Sequence, residues 1–251
     1  MNNYKQFKVV SKNDYLIYLR QIIIGLNNHF NSLEKYGDSL KSIVEELALI
    51  ENPELEIDSN LYEDFRDKTQ FVENKILNLL GDMQNDSMSY TKFKKKLVKR
   101  NIEVKQLIGE VPDNLSQMLS EMNNSRNWGL HEPESLLNAH LENIKEFWPK
   151  EELNWYLNNF NPIYIAKFNK YEGQWLLSLY HSMTGNLEFY KEIYNYIIED
   201  YKILSGNEDI QITYNDIDVR PFELEIKLPK TSMKMQKKKY KRKKSEKDAT
   251  R

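Results

Sequence analysis

Apolar positions recur every three or four residues along most of the chain, and that spacing predicts helices. After Ser11, a residue type suited to capping a helix, come Tyr15, Leu16, Leu19, Ile22, Ile23, Leu26 and Phe30, with Gly37 as the expected stop. Asp38 opens a second expected helix through Leu40, Ile43, Val44, Leu47 and Ile50, ending before Pro53. Ser59 opens a third through Phe65, Val72, Ile76 and Leu80, closed by Gly81. Ser89 opens a fourth through Phe93, Leu97, Val98, Val104 and Leu107, closed by Gly109. Pro112 and Asp113 start a short helix with Leu115, Met118, Leu119 and Met122, and Pro133 suits the first turn of another that stops at Trp148-Pro149. Further helices are expected over about 150–159, 163–184 and 187–204. The stretch 163–201 is rich in Tyr, Phe and Trp at helical spacing, which usually means core or interface.

Beyond Ser205-Gly206-Asn207 the period changes to two. Ile210, Ile212 and Tyr214 alternate, as do Phe222, Leu224, Ile226 and Leu228, which reads as two short strands and a hairpin. The expected fold is therefore mainly α: a helical bundle with a short C-terminal β-hairpin and a disordered basic tail. The expected division is a bundle over 1–148, a helical extension carrying the hairpin over 149–230, and a Lys-rich tail over 231–251.

Charge sharpens the last boundary. The 251 residues hold 36 Lys and Arg against 38 Asp and Glu. Eleven of the basic residues lie between Lys230 and Arg251, opposed only by Glu246 and Asp248, so 1–229 carries a net charge of −11. Like charges at that density repel and bury little apolar area. Lys237, Lys238, Lys239, Lys241, Arg242, Lys243 and Lys244 are the candidate polyanion contacts, acting by counterion release. A solubilising role, or folding back on the acidic body, is the plainer alternative. Within the body, Lys92, Lys94, Lys95, Lys96, Lys99 and Arg100 form the one basic cluster, expected to be a solvated helix face, with RNA contact as the other reading.

Composition excludes several chemistries. With no Cys there is no disulfide framework, thiolate metal site or thiol nucleophile. No apolar run is long enough to span a bilayer, and no signal-peptide core follows Met1, so a cytoplasmic protein without membrane contact is expected. No Gly-rich phosphate loop or Gly-x-Ser-x-Gly turn occurs. His131-Glu132-Pro133-Glu134-Ser135 starts like a zinc-protease helix and fails at Ser135, where the second ligand would have to be His. No metal and no cofactor is expected. His29, His140 and His181 read as surface or satisfied core residues.

What remains is Arg126-Asn127-Trp128-Gly129-Leu130-His131. No other Arg in the chain precedes a His by four to six intervening residues. This hexapeptide, set late in a run of helices, resembles the Arg-x4–6-His signature of the HEPN superfamily. Members are small helical domains, many of them metal-independent ribonucleases of toxin–antitoxin and anti-phage systems. The resemblance implies a HEPN-like bundle in 1–148, catalytic Arg126, Asn127 and His131, RNA as substrate, a homodimer, and an antitoxin or other protein partner. Pro133 so soon after the His, and the 120 residues that follow it, depart from the pattern.

The residue types suit the chemistry. His titrates near neutrality and can move a proton at the 2′-hydroxyl or the leaving oxygen. Arg stays charged and grips phosphate oxygens with a planar fork. On a regular helix five residues turn about 140° past a full circle, so Arg126 and His131 would not meet side by side. A bend at Gly129 and before Pro133, or a second copy across a dimer, would have to join them. The competing reading is a non-catalytic helical interaction or nucleic-acid-binding accessory protein, with Arg126 and His131 capping helix ends and Trp128 plugging the core.

Overall fold

The computed structural model describes residues 7–84, 87–130, 134–147 and 168–214. Lys8–Asp209 form one compact unit; the other unit, Met1–Phe7 with Ile210–Arg251, is described only at Phe7 and over 210–214.

Helix α1 runs from Lys12 to Glu46. Ser11 caps it reciprocally: the Asp14 N–H donates to the Ser11 hydroxyl, and the Ser11 N–H donates to the Asp14 carboxylate at 2.8 Å. The helix does not stop at Gly37, and Asp38 does not open another. The buried stripe continues in step from Leu33 past Gly37 to Leu40 and Val44. A Cβ on Gly37 would lie 2.8 Å from the Met183 methyl, so the glycine thins a helix contact.

Strand β1 (Glu56–Asp58) leads straight into helix α2 (Ser59–Gly81), capped by Asp58 through the Asn60 N–H at 2.8 Å. Helix α3 (Tyr90–Lys92), capped by Ser89, passes into a π-helical turn over Phe93–Leu97 and a tight 3₁₀ turn over Val98–Arg100. The single helix expected up to Gly109 is broken at Asn101. Its backbone is extended, and its side chain accepts from the Val104 N–H to start α4 (Ile102–Ile108). Gly109 then ends α4 at φ 71°. Helix α5 spans Asp113–Leu130 and α6 spans Glu134–Phe147. The expected short helix thus extends through the Arg126–Leu130 part of the motif.

Strand β2 (Lys170–Glu172) precedes α7 (Gly173–Ser205), one unbroken helix where two were expected over 163–204. It ends at Gly206 in the left-handed region. The strands pair antiparallel with Glu56 opposite Glu172, Ile57 opposite Tyr171 and Asp58 opposite Lys170. This sheet differs from the expected hairpin: 210–214 is neither helix nor strand, and Phe222–Leu228 lies outside the described residues.

The protein is thus mainly helical with a small two-stranded antiparallel sheet. Its principal core joins α1, α2, the α3–α4 segment, α5 and α7 around Leu19, Ile22, Leu26, Ile76, Phe93, Leu115 and Ile193. Helix α7, expected in an extension, therefore shares the main core with α1. A smaller cluster of Leu40, Val44, Leu49, Ile57, Tyr62 and Leu176 lies beneath the sheet. Among the described residues, no helix is long and apolar enough to cross a membrane.

Candidate functional site

Arg126 belongs to a helix face that is otherwise apolar. On α5, Leu115, Met118, Leu119 and Met122 are buried at helical spacing, and Arg126 is the next position on that stripe. The opposing element is the last turn of α2. Gly81 packs there with no room to spare: a Cβ would stand 2.6 Å from the Met122 carbonyl oxygen and 2.8 Å from the Asn123 nitrogen. That close approach sets the Arg126 side chain against the end of α2.

Its guanidinium makes three contacts. Nε donates to Asn78 Oδ1 at 3.3 Å, Nη2 to Asp82 Oδ2 at 3.3 Å, and Nη1 to Asn127 Oδ1 at 3.2 Å. The Arg126 and Asp82 side chains are only 10% and 11% exposed, so the ion pair is nearly sealed from solvent. Asp82 is itself engaged in the turn: its Oδ1 accepts from the Gln84 N–H at 2.9 Å, and its carbonyl accepts from the Ser89 hydroxyl. One residue thus organises the exit of α2 and the anchoring of α5 through its carboxylate, and the cap of α3 through its main-chain carbonyl.

Asn127 is exposed, and Trp128 is 55% exposed, so the tryptophan does not plug the core. The structure brings Arg126 and Asn127 together. His131 lies outside the described residues, as does the Lys237–Lys244 run. Among the other histidines, His29 on α1 is partly buried; desolvation, then the Lys75 charge, hold its pKa below the usual imidazole value. His181 on α7 is exposed, its ring 5.5 Å from that of Tyr180. His140 belongs to α6.

A second constellation was not foreseen. Lys94, expected on a solvated face, is buried in the π-helical turn. Its ammonium lies 2.9 Å and 3.0 Å from the two oxygens of Asp200 on α7, and the Tyr90 hydroxyl donates to the same carboxylate at 2.8 Å. Burial raises the Asp200 pKa above its ordinary value against the opposing pull of Lys94. Burial and the neighbouring carboxylate push the Tyr90 phenol far up, so it remains a donor. Lys92 and Lys96 reach back to the carbonyls of Ser87 and Met83 at 2.7 Å and 2.9 Å. Three of the six cluster residues, Lys92, Lys94 and Lys96, are therefore internal fastenings, while Lys99 and Arg100 are exposed.

The signal for this pair was present in the helical spacing. Lys94 falls on the stripe Tyr90, Phe93, Leu97, Val98, and Asp200 on the stripe Ile193, Ile197, Leu204. A charge at such a position is buried and partnered, or it is not tolerated. Among the described residues no group of acidic or histidine side chains is arranged to hold a metal ion. No family model, curated protein or solved structure matches the chain.

Proposed function

We propose that the chain is a HEPN-like ribonuclease that cleaves RNA without a metal, with Arg126, Asn127 and His131 as its catalytic residues. The observation that supports this reading most is the setting of the Arg126 guanidinium. It is anchored through three of its five N–H donors, beside an exposed Asn127 and at the start of the motif. A pre-oriented guanidinium loses little conformational freedom when a phosphate arrives, and its two remaining donors can address phosphate oxygens.

In the reaction, His131 takes the proton of a ribose 2′-hydroxyl. The oxygen attacks the adjacent phosphorus, and the 5′-oxygen leaves, taking up a proton from water while the His131 imidazolium returns its own to solvent. The products are a 2′,3′-cyclic phosphate and a 5′-hydroxyl end. The Arg126 charge offsets the negative charge gathering on the phosphorane. A second copy of the chain completes the cleft, and the setting is a bacterial anti-phage defence or toxin system with an antitoxin or other protein partner. The Lys237–Lys244 run gathers the RNA by counterion release.

A specific observation favours a second reading. The charge of Arg126 is already balanced by Asp82 in a nearly sealed pair. In a non-catalytic interaction protein that pair would serve only to fasten α5 to α2. Replacing His131 separates the two, because the described Arg126 contacts do not involve it. Purified protein and the His131→Ala variant are incubated with total RNA in EDTA. Cleavage by the wild type, lost in a variant of unchanged circular dichroism, is expected. Equal behaviour of the two proteins ends the ribonuclease reading. Deleting 231–251 should weaken RNA binding and flatten its salt dependence without abolishing cleavage.

A further inference from the structure

The three long helices pass from one hydrophobic cluster to the other, and each changes character at the crossing. On α1 the principal core ends at Tyr36 and the smaller cluster begins at Leu40. On α2 the smaller cluster reaches Phe65 and the principal core starts at Val72. On α7 the smaller cluster reaches Leu179 and the principal core starts at Met183, with Tyr180 between them, partly buried against both. The crossing sets off a lobe, made of the sheet, the end of α1 and the first turns of α2 and α7, from the rest of the bundle.

The positions in these gaps are those that weaken a helix. Gly37 leaves α1 without a side chain where a Cβ would stand 2.8 Å from the Met183 methyl. Thr69 is buried, and its hydroxyl donates to the carbonyls of Phe65 at 2.8 Å and Arg66 at 3.0 Å, one turn back on α2. On α7 the Thr184 hydroxyl donates to the Tyr180 carbonyl at 2.9 Å, and Gly185 follows, with open space where its Cβ would be. A hydroxyl that returns to the carbonyl of the preceding turn loosens the helix there and favours a bend. Glycine inside a helix adds backbone freedom, and a methionine at the contact adapts to small displacements.

Fastenings between elements lie to one side or the other. In the lobe, Lys170 pairs with Glu56, the Tyr171 hydroxyl donates to Glu63, and the Gly173 and Gln174 N–H groups donate to the Leu55 and Pro53 carbonyls. In the bundle, Lys191 pairs with Glu34, the Asn186 amide donates to Glu73, and the Asn27 amide donates to the Tyr194 hydroxyl. Two separately tied bodies, joined by helices that each soften at the junction, have the construction of a hinge.

We propose that Gly37, Thr69 and Thr184-Gly185 form a hinge on which the sheet lobe swings relative to the bundle. Both hydrophobic clusters stay packed as it moves, and α1, α2 and α7 bend there without unfolding. This inference is independent of the ribonuclease reading.

The chain contains no Cys, so paired spin labels can be introduced without removing any thiol of its own. One pair, Glu51→Cys with Glu192→Cys, spans the crossing, and a second, Gln21→Cys with Glu121→Cys, stays within the bundle; all four positions are exposed. Dipolar distance measurements on the full chain should give a distribution roughly twice as wide for the spanning pair as for the internal one. Gly185→Ala fits the open space, and Thr69→Val removes the hydroxyl while leaving the carbonyls their helix bonds. Together they should narrow the spanning distribution towards the internal one at unchanged circular dichroism and leave the internal pair as it was. Gly185→Ala alone should narrow it in part if the double variant does not fold. Equal widths for the two wild-type pairs overturn the proposal. So does a spanning width that ignores the substitutions while the unfolding midpoint rises, which is only the ordinary gain of replacing a helical glycine.

Discussion

Two buried ion pairs hold this bundle together, and they are built differently. Lys94 and Asp200 meet at 2.9 Å with side chains 4% and 8% exposed, and Tyr90 closes the carboxylate off. The ammonium also lies 6.0 Å from the Tyr90 ring centroid. Arg126 and Asp82 meet at 3.3 Å near the end of the described α5, with an exposed asparagine alongside. The first pair faces inward on every side and serves as a lock. The second is an anchor between two helix ends, with three of the five guanidinium donors engaged among the described residues. Two cations buried to a similar degree are thus held differently, one by a single carboxylate closed off by a phenol and one by a fork spread over three side chains.

The largest effect should come from breaking the lock. Lys94→Ala leaves the Asp200 carboxylate buried beside Tyr90 without a cation, which costs about 3–5 kcal/mol where both groups are this deep. Urea unfolding should show a midpoint lowered accordingly, or no folded protein at all. Joint replacement, Lys94→Met with Asp200→Leu, should recover most of the loss, because a well-packed apolar pair needs no desolvation. If Lys94→Ala unfolds at the wild-type midpoint, the pair is not a lock.

The anchor should cost less to remove. Arg126→Ala strands Asp82 at the mouth of the α2 turn, where some solvent reaches it, and about 1–3 kcal/mol is expected. Arg126→Lys keeps the charge and loses the fork to Asn78 and Asn127, so its stability should fall between the two. A loss at Arg126→Ala as large as that at Lys94→Ala would erase the distinction. Gly81→Ala tests the same joint through the backbone. Its Cβ would meet the Met122 carbonyl, a group that cannot rotate aside, so α2 and α5 must separate at a cost of about 1–3 kcal/mol.

How legible all this was depends on the range of the interaction that decides it. Helix starts at Ser11 and Ser89, and stops at Gly81 and Gly109, rest on capping within a few residues, and they were readable. Gly37 and Gly185 have the same composition signal and mean something else, because the neighbouring apolar stripe continues through both. The strands Glu56–Asp58 and Lys170–Glu172 are three residues each, too short to show a period, and their partner lies more than a hundred residues away. The alternation at Ile210–Tyr214 has the period, and 210–214 forms neither helix nor strand. For the candidate site, Arg126 was legible from its motif. Asp82 was not, because 44 positions separate it from Arg126 and only the packing of α5 on α2 brings them together.

The smallest expected effect distinguishes the lock by its proton. Three neighbours act on the Asp200 carboxylate: Lys94 and the Tyr90 hydroxyl favour its charged form, and Glu199 on its own helix opposes it. Burial outweighs the two favourable contacts, so the folded pKa stands above the ordinary value of 3.8. A carboxyl with that shift binds its proton more tightly in the folded state. Its contribution to stability is full below 3.8 and is lost as pH rises through the folded value. Asp200→Asn removes the titration while keeping the shape. The stability difference between wild type and this variant should therefore move in favour of the wild type as pH falls from 7 towards 4. Lys94→Met takes away the cation that holds the pKa down, so the same drift should be steeper in that background if the protein remains folded. Parallel pH curves for wild type and Asp200→Asn would mean that the Lys94 charge offsets the burial of its partner in full, and the lock would then be electrostatically neutral, held by packing alone.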